Sequence, residues 1–334
     1  MSIYAKAAGF AAAYGTLALT WTILGRGFPF GPGDPGNDSS PLRGLTPEVG
    51  APLFAAIMLV AAVVLLIMNG TLRPSRPLRT ALLTYAWAVV FGLLIVTPDS
   101  RVLTLAGYTP ILIVGAPFGY PPVPYSEIFT WTMINQLVLF AGGVLMAVAT
   151  WRWQAGTASD RQRRWTTPES AARWGRWATG VAVAVPTGYA IIRLAWFAGI
   201  PLGIPRDFLH QLQETGMVIA GAGLGAFALA GAILTLGLVQ RWGEVFPRWM
   251  IGLAGRPVPV RLATIPAGLV ALAVTAASLA FVTSDGFFTE FGDGPSLATL
   301  PMAFFPLWGV ALGAATVAYH LRRGVVQPVS ADAY

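Results

Sequence analysis

Apolar residues gather into eight long runs, about 4–25, 50–70, 80–98, 127–150, 175–199, 216–239, 264–283 and 300–321. Short stretches rich in Arg, Gly, Pro and acidic residues separate them. A bilayer core of about 30 Å needs roughly 20 apolar residues at 1.5 Å each, so every run is a candidate membrane helix. The expected fold is all-α, a polytopic transmembrane bundle of eight spanning helices. A further apolar stretch, 102–117, is only sixteen residues long and is interrupted by Gly107 and Pro110. If it spanned, everything after it would be inverted, so it is expected to enter and leave on one side, as a re-entrant or interfacial segment. Irregular backbone at membrane depth must be buried in protein or line a wet cavity.

The runs echo one another. Tyr14, Leu19, Trp21 and Pro29-Phe30-Gly31 recur 175 positions later, or close to it, as Tyr189, Leu194, Trp196 and Pro201-Leu202-Gly203. Glu48-x-Gly50 opens the next run as Glu214-x-Gly216 does, and Val96-Thr97-Pro98-Asp99 closes the one after as Val282-Thr283-Ser284-Asp285 does. The pattern predicts a 4+4 parallel internal repeat, a plan that recurs in transporters with the solute site between repeats. The domains expected are a first four-helix repeat over 1–150, an Arg/Trp-rich linker over 151–174, a second repeat over 175–323 and a tail over 324–334.

Composition agrees with a membrane setting: 55% of residues are hydrophobic and 10% charged, against roughly 25% charged in an ordinary soluble domain. Charge then sets the orientation. With the N-terminus cytoplasmic, sixteen basic residues fall on the inner side and four on the outer, while ten acidic residues fall outside and four inside. Both termini are therefore expected to be cytoplasmic. The pI of about 10.1 reflects inner loops facing anionic headgroups, and no nucleic-acid surface is implied. Tryptophans alternate with arginines in the linker (Trp151, Trp153, Trp165, Trp174), which suits a headgroup anchor or the docking site of a membrane partner protein. Arg241 to Trp249 is expected to form a short interfacial helix.

Cysteine is absent, which excludes disulfides, thiolate metal sites and thiol relays. The first run is long, lacks a small-x-small cleavage site and has its echo mid-chain, so it is expected to remain as a helix and not be removed as a signal peptide. No HExxH, nucleotide-binding loop or Ser/His/Asp set is present, and no cofactor or resident metal is expected. His210 and His320 fall at opposite faces, which cannot give paired axial haem ligands. Asp207, His210 and Glu214 align at i, i+3 and i+7, but one histidine makes a weak metal set.

Arg193 is the sharpest candidate. It falls near the outer end of the fifth run, where a charge costs a few kcal/mol unless paired or hydrated, and its echo position in the first run is Ala18. Helical spacing places Tyr189 at i−4 and Trp196 at i+3 on its face. Its candidate partners are Glu214, Glu48, Asp99, Asp285 and Glu127. Two readings follow: a structural tie, or an outward-facing site for a small polar or anionic ligand. Glu48 and Glu214 open equivalent helices, where the helix dipole favours a carboxylate. Asp99 and Asp285 close equivalent helices, where it does not, so they need a cation, Arg193 or Arg101. Glu127, Trp131 and Asn135, with Gln136 beside them, form a polar stripe expected to face the bundle interior. Gly221-x-x-x-Gly225 and Gly309-x-x-x-Gly313 allow close helix approach.

The strings Tyr-x-x-x-Arg-Leu-Ala-Trp with Gly-Ile-Pro-Leu-Gly (189–203), and Arg-Trp-Gly-Glu-x-Phe-Pro-Arg-Trp followed by Ala-Gly-Arg-Pro-Val-Pro (241–259), resemble uncharacterised multipass membrane proteins of actinobacteria. The resemblance implies a Gram-positive plasma membrane and carries no activity. The sequence thus favours a transporter-like or ligand-binding membrane protein, with a noncatalytic scaffold or complex subunit as the alternative. An intramembrane enzyme ranks third, for want of a nucleophile–base pair.

Overall fold

The computed structural model describes residues 1–34, 40–70, 74–102, 105, 117, 125–157, 165–282 and 300–324. Most of the segment expected at 102–117, Asp285 and nearly all of the tail lie outside the described residues. The long helices are α1 (Ile3–Leu24), α2 (Pro47–Asn69), α3 (Arg76–Phe91, continued as a π turn over Gly92–Val96), α4 (Trp131–Thr157), α5 (Pro168–Phe197), α6 (Arg206–Glu214), α7 (Met217–Leu236), α8 (Val260–Val282) and α9 (Phe305–Gly324). The β-geometry found among the described residues is an isolated bridge between Val245 and Pro257.

Seven of these helices are long and apolar enough to cross a membrane: α1 to α5, α7 and α8. The eighth expected run is helical over Leu300–Ala303 and Phe305–Gly324, carries His320, Arg322 and Arg323 at its far end, and is not among the seven. Helix ends follow local chemistry. Ser2 caps α1 by accepting from the Ala5 N–H at 3.1 Å, and α1 stops at Gly25 in the left-handed region. Thr167 caps α5 by accepting from the Ser170 N–H, with Pro168 and Glu169 in the first turn. These signals start α5 seven residues before the expected 175 and absorb much of the supposed linker into helix. α4 likewise runs to Thr157, where Trp87 Nε1 donates to Gln154 Oε1 at 2.7 Å and Arg79 Nε donates to Thr157 Oγ1 at 2.9 Å.

The chain divides into two compact units, Met1–Ala158 with Leu279–Asp285, and Ser159–Ser278 with Gly286–Tyr334. In the first, α1 packs on α2 and α4, and α3 packs on α2 and α4. In the second, α5 packs on α7 and α9, while α8 meets α9 through Ala271, Ala311, Leu312, Ala315 and Tyr319. Small residues make these approaches: α1 buries Ala7, Ala8, Ala11, Gly15 and Ala18. A lipid tail is as apolar as a leucine, so helices in a bilayer gain from close van der Waals packing, which small residues permit. The Phe10 ring occupies the space a Cβ on Gly142 would take, and Ala318 does the same at Gly175.

Candidate functional site

Tyr189, Arg193 and Trp196 share one face of α5, as their spacing requires. The Arg193 guanidinium lies over the Tyr189 ring at 5.0 Å and the Trp196 ring at 4.5 Å from the centroids. Arg193 is half-buried, four residues before the last residue of α5. Its aliphatic stem runs along α7, where a Cβ on Gly225 would stand 3.0 Å from Arg193 Cβ and one on Gly221 would stand 3.6 Å from Arg193 Cδ. The Gly-x-x-x-Gly spacing of α7 therefore cradles an arginine, a role the sequence did not disclose.

Both rings are held from behind. Trp196 is buried with Ile192, Leu209 and Val218, and its indole N–H donates to the Leu202 carbonyl at 2.9 Å. Tyr189 meets Phe305 edge-on at 5.9 Å, and Phe305 meets Trp308 at 5.6 Å. The Trp308 indole N–H is buried with no acceptor among the described residues. No carboxylate among the described residues of this unit pairs with Arg193. Glu214 stands exposed at the end of α6, with Asp207 and His210 also exposed. Among the described residues no three His, Cys, Asp or Glu side chains cluster as a metal set.

The first unit treats its arginine differently. The π turn Gly92–Val96, closed by the Thr97 N–H to Gly92 O at 2.9 Å, ends against Pro98, which cannot continue the ladder. Asp99 follows, fully buried. Its Oδ1 accepts the Arg101 backbone N–H and Nε, each at 3.0 Å, and its Oδ2 accepts Gln136 Nε2 at 2.7 Å and Arg101 Nη2. Arg101 Nη1 and Nη2 reach the two oxygens of buried Asp34 at 2.8 and 2.6 Å. Burial works against the Arg101 charge, but hydrogen bonds and attraction from Asp34 and Asp99 outweigh it and hold the guanidinium above the ordinary arginine value. Gln136 Oε1, on the same amide, is buried without a partner among the described residues.

Asp99 thus finds its partners in Arg101 and Gln136. Glu48, in the first turn of α2, is exposed, as the dipole argument alone would allow. Of the expected polar stripe, Asn135 and Gln136 are buried, and Asn135 Oδ1 accepts from the Tyr14 hydroxyl at 3.0 Å. Trp131 is half exposed and donates to the Gly27 carbonyl at 2.9 Å, while Glu127 is exposed on the short turn Tyr125–Ile128. Asp34 and Gln136 were not legible as partners, because 67 residues separate Asp34 from Arg101 and no periodicity links them.

The apolar helices and their packing define a multi-pass helical membrane protein. No protein-family model, no curated protein and no solved structure matches the chain.

Proposed function

We propose that the protein is a transporter-like or small-ligand-binding protein of the plasma membrane, with Arg193, Tyr189 and Trp196 forming a site for a small anionic ligand. One observation carries the reading: a guanidinium near the end of a membrane helix is braced by two rings and left without a carboxylate among the described residues of its unit. At the centre of a membrane helix a charge costs about 2.5–3.5 kcal/mol, and near a helix end, where Arg193 lies, the long side chain can lower that cost by reaching the interface. Cation–π contacts return about 0.5–1 kcal/mol each when exposed and about 2 or more when desolvated, without using the guanidinium's N–H donors. The remaining hydrogen-bonding capacity of Arg193, five donors in a fixed fork, suits a carboxylate or phosphate. The buried, unanswered Trp308 N–H is a second donor in the same unit that an acceptor would satisfy. A structural tie would hold its counter-charge in place, as Arg101 does; this favours ligand binding over the scaffold reading.

The orientation proposed has both termini in the cytoplasm and Arg193 toward the outer face, in the membrane of an actinobacterium-like cell. It rests on the charge asymmetry of the loops. The pairing of α1 with α2 and α4, and of α5 with α7 and α9, supports the parallel-repeat reading.

The test is thermal unfolding of purified protein in nanodiscs with acetate, phosphate or citrate, using choline chloride at matched ionic strength as the control. At least one anion should raise the midpoint of the parent chain by several degrees and leave Arg193→Ala unmoved. Equal shifts in both proteins, or none in either, sink the assignment.

A further inference from the structure

The connection between α7 and α8 was expected to hold a short interfacial helix over Arg241 to Trp249. It is instead a closed lobe. After a single turn, Arg241–Gly243, the chain folds back on itself. The Val258 N–H donates to Glu244 O at 2.9 Å, the Phe246 N–H to Arg256 O at 3.0 Å and the Gly255 N–H to Phe246 O at 3.0 Å. Gly252 and Gly255 take positive φ of 85° and 76° at its tip, a conformation that stops a helix and that glycine adopts without strain. The base is clamped to α9: the Tyr319 hydroxyl donates to Gly243 O at 2.6 Å, Arg323 to Val258 O at 2.9 Å and Arg322 to Leu238 O at 2.6 Å. A Cβ on Gly243 would strike the Gly237 carbonyl, so the base closes only on glycine.

This fixed base carries an apolar tip in the open. Trp249 is 77% exposed and Ile251 97%. Arg248 and Arg256 of the lobe are exposed, as are Arg241 in its base turn and Arg261 just beyond it in the first turn of α8. The one acid of the lobe, Glu244, is taken up by Arg322 at 3.4 Å. The lobe joins two helices long and apolar enough to cross a membrane, so it lies at the level of the headgroups whichever face that is. Exposed indole, isoleucine and guanidinium at that level match one partner: anionic phospholipid, with phosphates on the arginines and the upper acyl region around the apolar side chains.

We propose that residues 241–259 form a rigid lipid-binding lobe that inserts Trp249 and Ile251 into the interfacial layer of the same membrane and selects anionic headgroups through Arg248 and Arg256. The proposal is independent of the Arg193 reading and uses none of its residues.

The absence of cysteine gives a clean test. Ile251→Cys, labelled with nitrobenzoxadiazole, is placed in vesicles of phosphatidylcholine alone or with one third phosphatidylglycerol. Retention of the parent unfolding midpoint shows that the labelled protein is folded. The expected result is blue-shifted emission quenched by shallow doxyl-lipid, at least twofold stronger with phosphatidylglycerol. Arg248→Gln with Arg256→Gln should remove that twofold gain. A probe quenched freely by iodide in the anionic vesicles overturns the proposal. So does a lipid signal indifferent to phosphatidylglycerol and to the arginine changes. A probe open in vesicles but shielded in whole cells also overturns it, in favour of a protein partner.

Discussion

Two arginines, one in each unit, have been given opposite surroundings. Arg101 meets two buried carboxylates, Asp34 and Asp99, through hydrogen bonds on all three of its nitrogens. Arg193 meets two aromatic faces and two glycines. The first arrangement spends the cation's directional bonding inside the fold and fixes the loop that carries Asp34 to the turn after α3. The second supports the charge without consuming its donors. A guanidinium is the same group in both, so the difference lies in what the neighbouring chain offers: acceptors close the site, rings and glycines leave it able to receive one.

The same contrast appears between α1 and α5. Tyr14 and Trp21 occupy the echo positions of Tyr189 and Trp196, but the intervening position is Ala18, wholly buried, and the two rings meet each other edge-on at 5.7 Å. Where α5 holds a guanidinium over both rings, α1 brings the rings into contact. The facing helix differs too: Gly15 of α1 lies against Leu59, a side chain where α7 offers glycine. The largest effect should come from forcing the second arrangement on the first. Ala18→Arg puts a long cation into a filled space with no cradle, and should cost about 3–5 kcal/mol or abolish folding, combining overpacking with an unpaired buried charge. Expression and unfolding midpoint in nanodiscs measure it. Near-parental stability would mean that α1 already has room, and that the comparison is wrong.

Slightly smaller is the loss expected on opening the clasp. Arg101→Met leaves Asp34 and Asp99 buried without their counter-ion and should cost about 3–4 kcal/mol, because removing one partner of a buried pair strands the other. Arg101→Lys should recover only part, since an ammonium cannot reproduce the two-pronged contact with Asp34. The pH sign follows from the raised value of Arg101. A cation held above its ordinary value contributes its full stability below the ordinary arginine range and loses it only as pH rises through the raised value. The gap between parent and Arg101→Met should therefore stay constant from about pH 7 to pH 10. A gap that closes across that range would show that another group carries the clasp.

How much of this was legible depends on distance along the chain. Tyr189, Arg193 and Trp196 lie within two helical turns, so spacing alone placed them on one face, and the structure has them there. Asp99 was recognised as needing a cation because it follows a helix end, and Arg101 was among those named. Asp34 and Gln136 were not linked to it: they come from a distant loop and from α4, and a five-residue π turn sets the position of Asp99. The early start of α5 is readable in Thr167-Pro168-Glu169, an N-cap, a proline and an acid in the first turn, but they lie among Arg and Trp residues that equally suit an interfacial linker. In the 241–259 stretch the spacing of Arg and Trp suggested a helix, while Pro247, Gly252, Gly255 and Pro257 were the stronger signals against one.

The smallest effect separates two glycines one helical turn apart. A methyl on Gly225 would stand 3.0 Å from Arg193 Cβ and also face Ala190, with its carbonyl at 3.5 Å and its Cα at 3.6 Å. Neither neighbour yields easily: one is at the root of its side chain and the other is backbone. A methyl on Gly221 would stand 3.6 Å from Arg193 Cδ, an ordinary contact with a flexible stem. Gly225→Ala should therefore separate α5 from α7, lift the guanidinium off its rings, cost about 1–2 kcal/mol and weaken anion protection along with stability. Gly221→Ala should change stability by under about 0.5 kcal/mol, gaining helix propensity where it adds contact. The midpoints of the two variants, with and without citrate, decide it. If both lose anion protection equally, the ligand occupies the space over Gly221 itself, and the site extends along α7. If neither does, the glycines serve helix packing alone and Arg193 keeps its place by the rings.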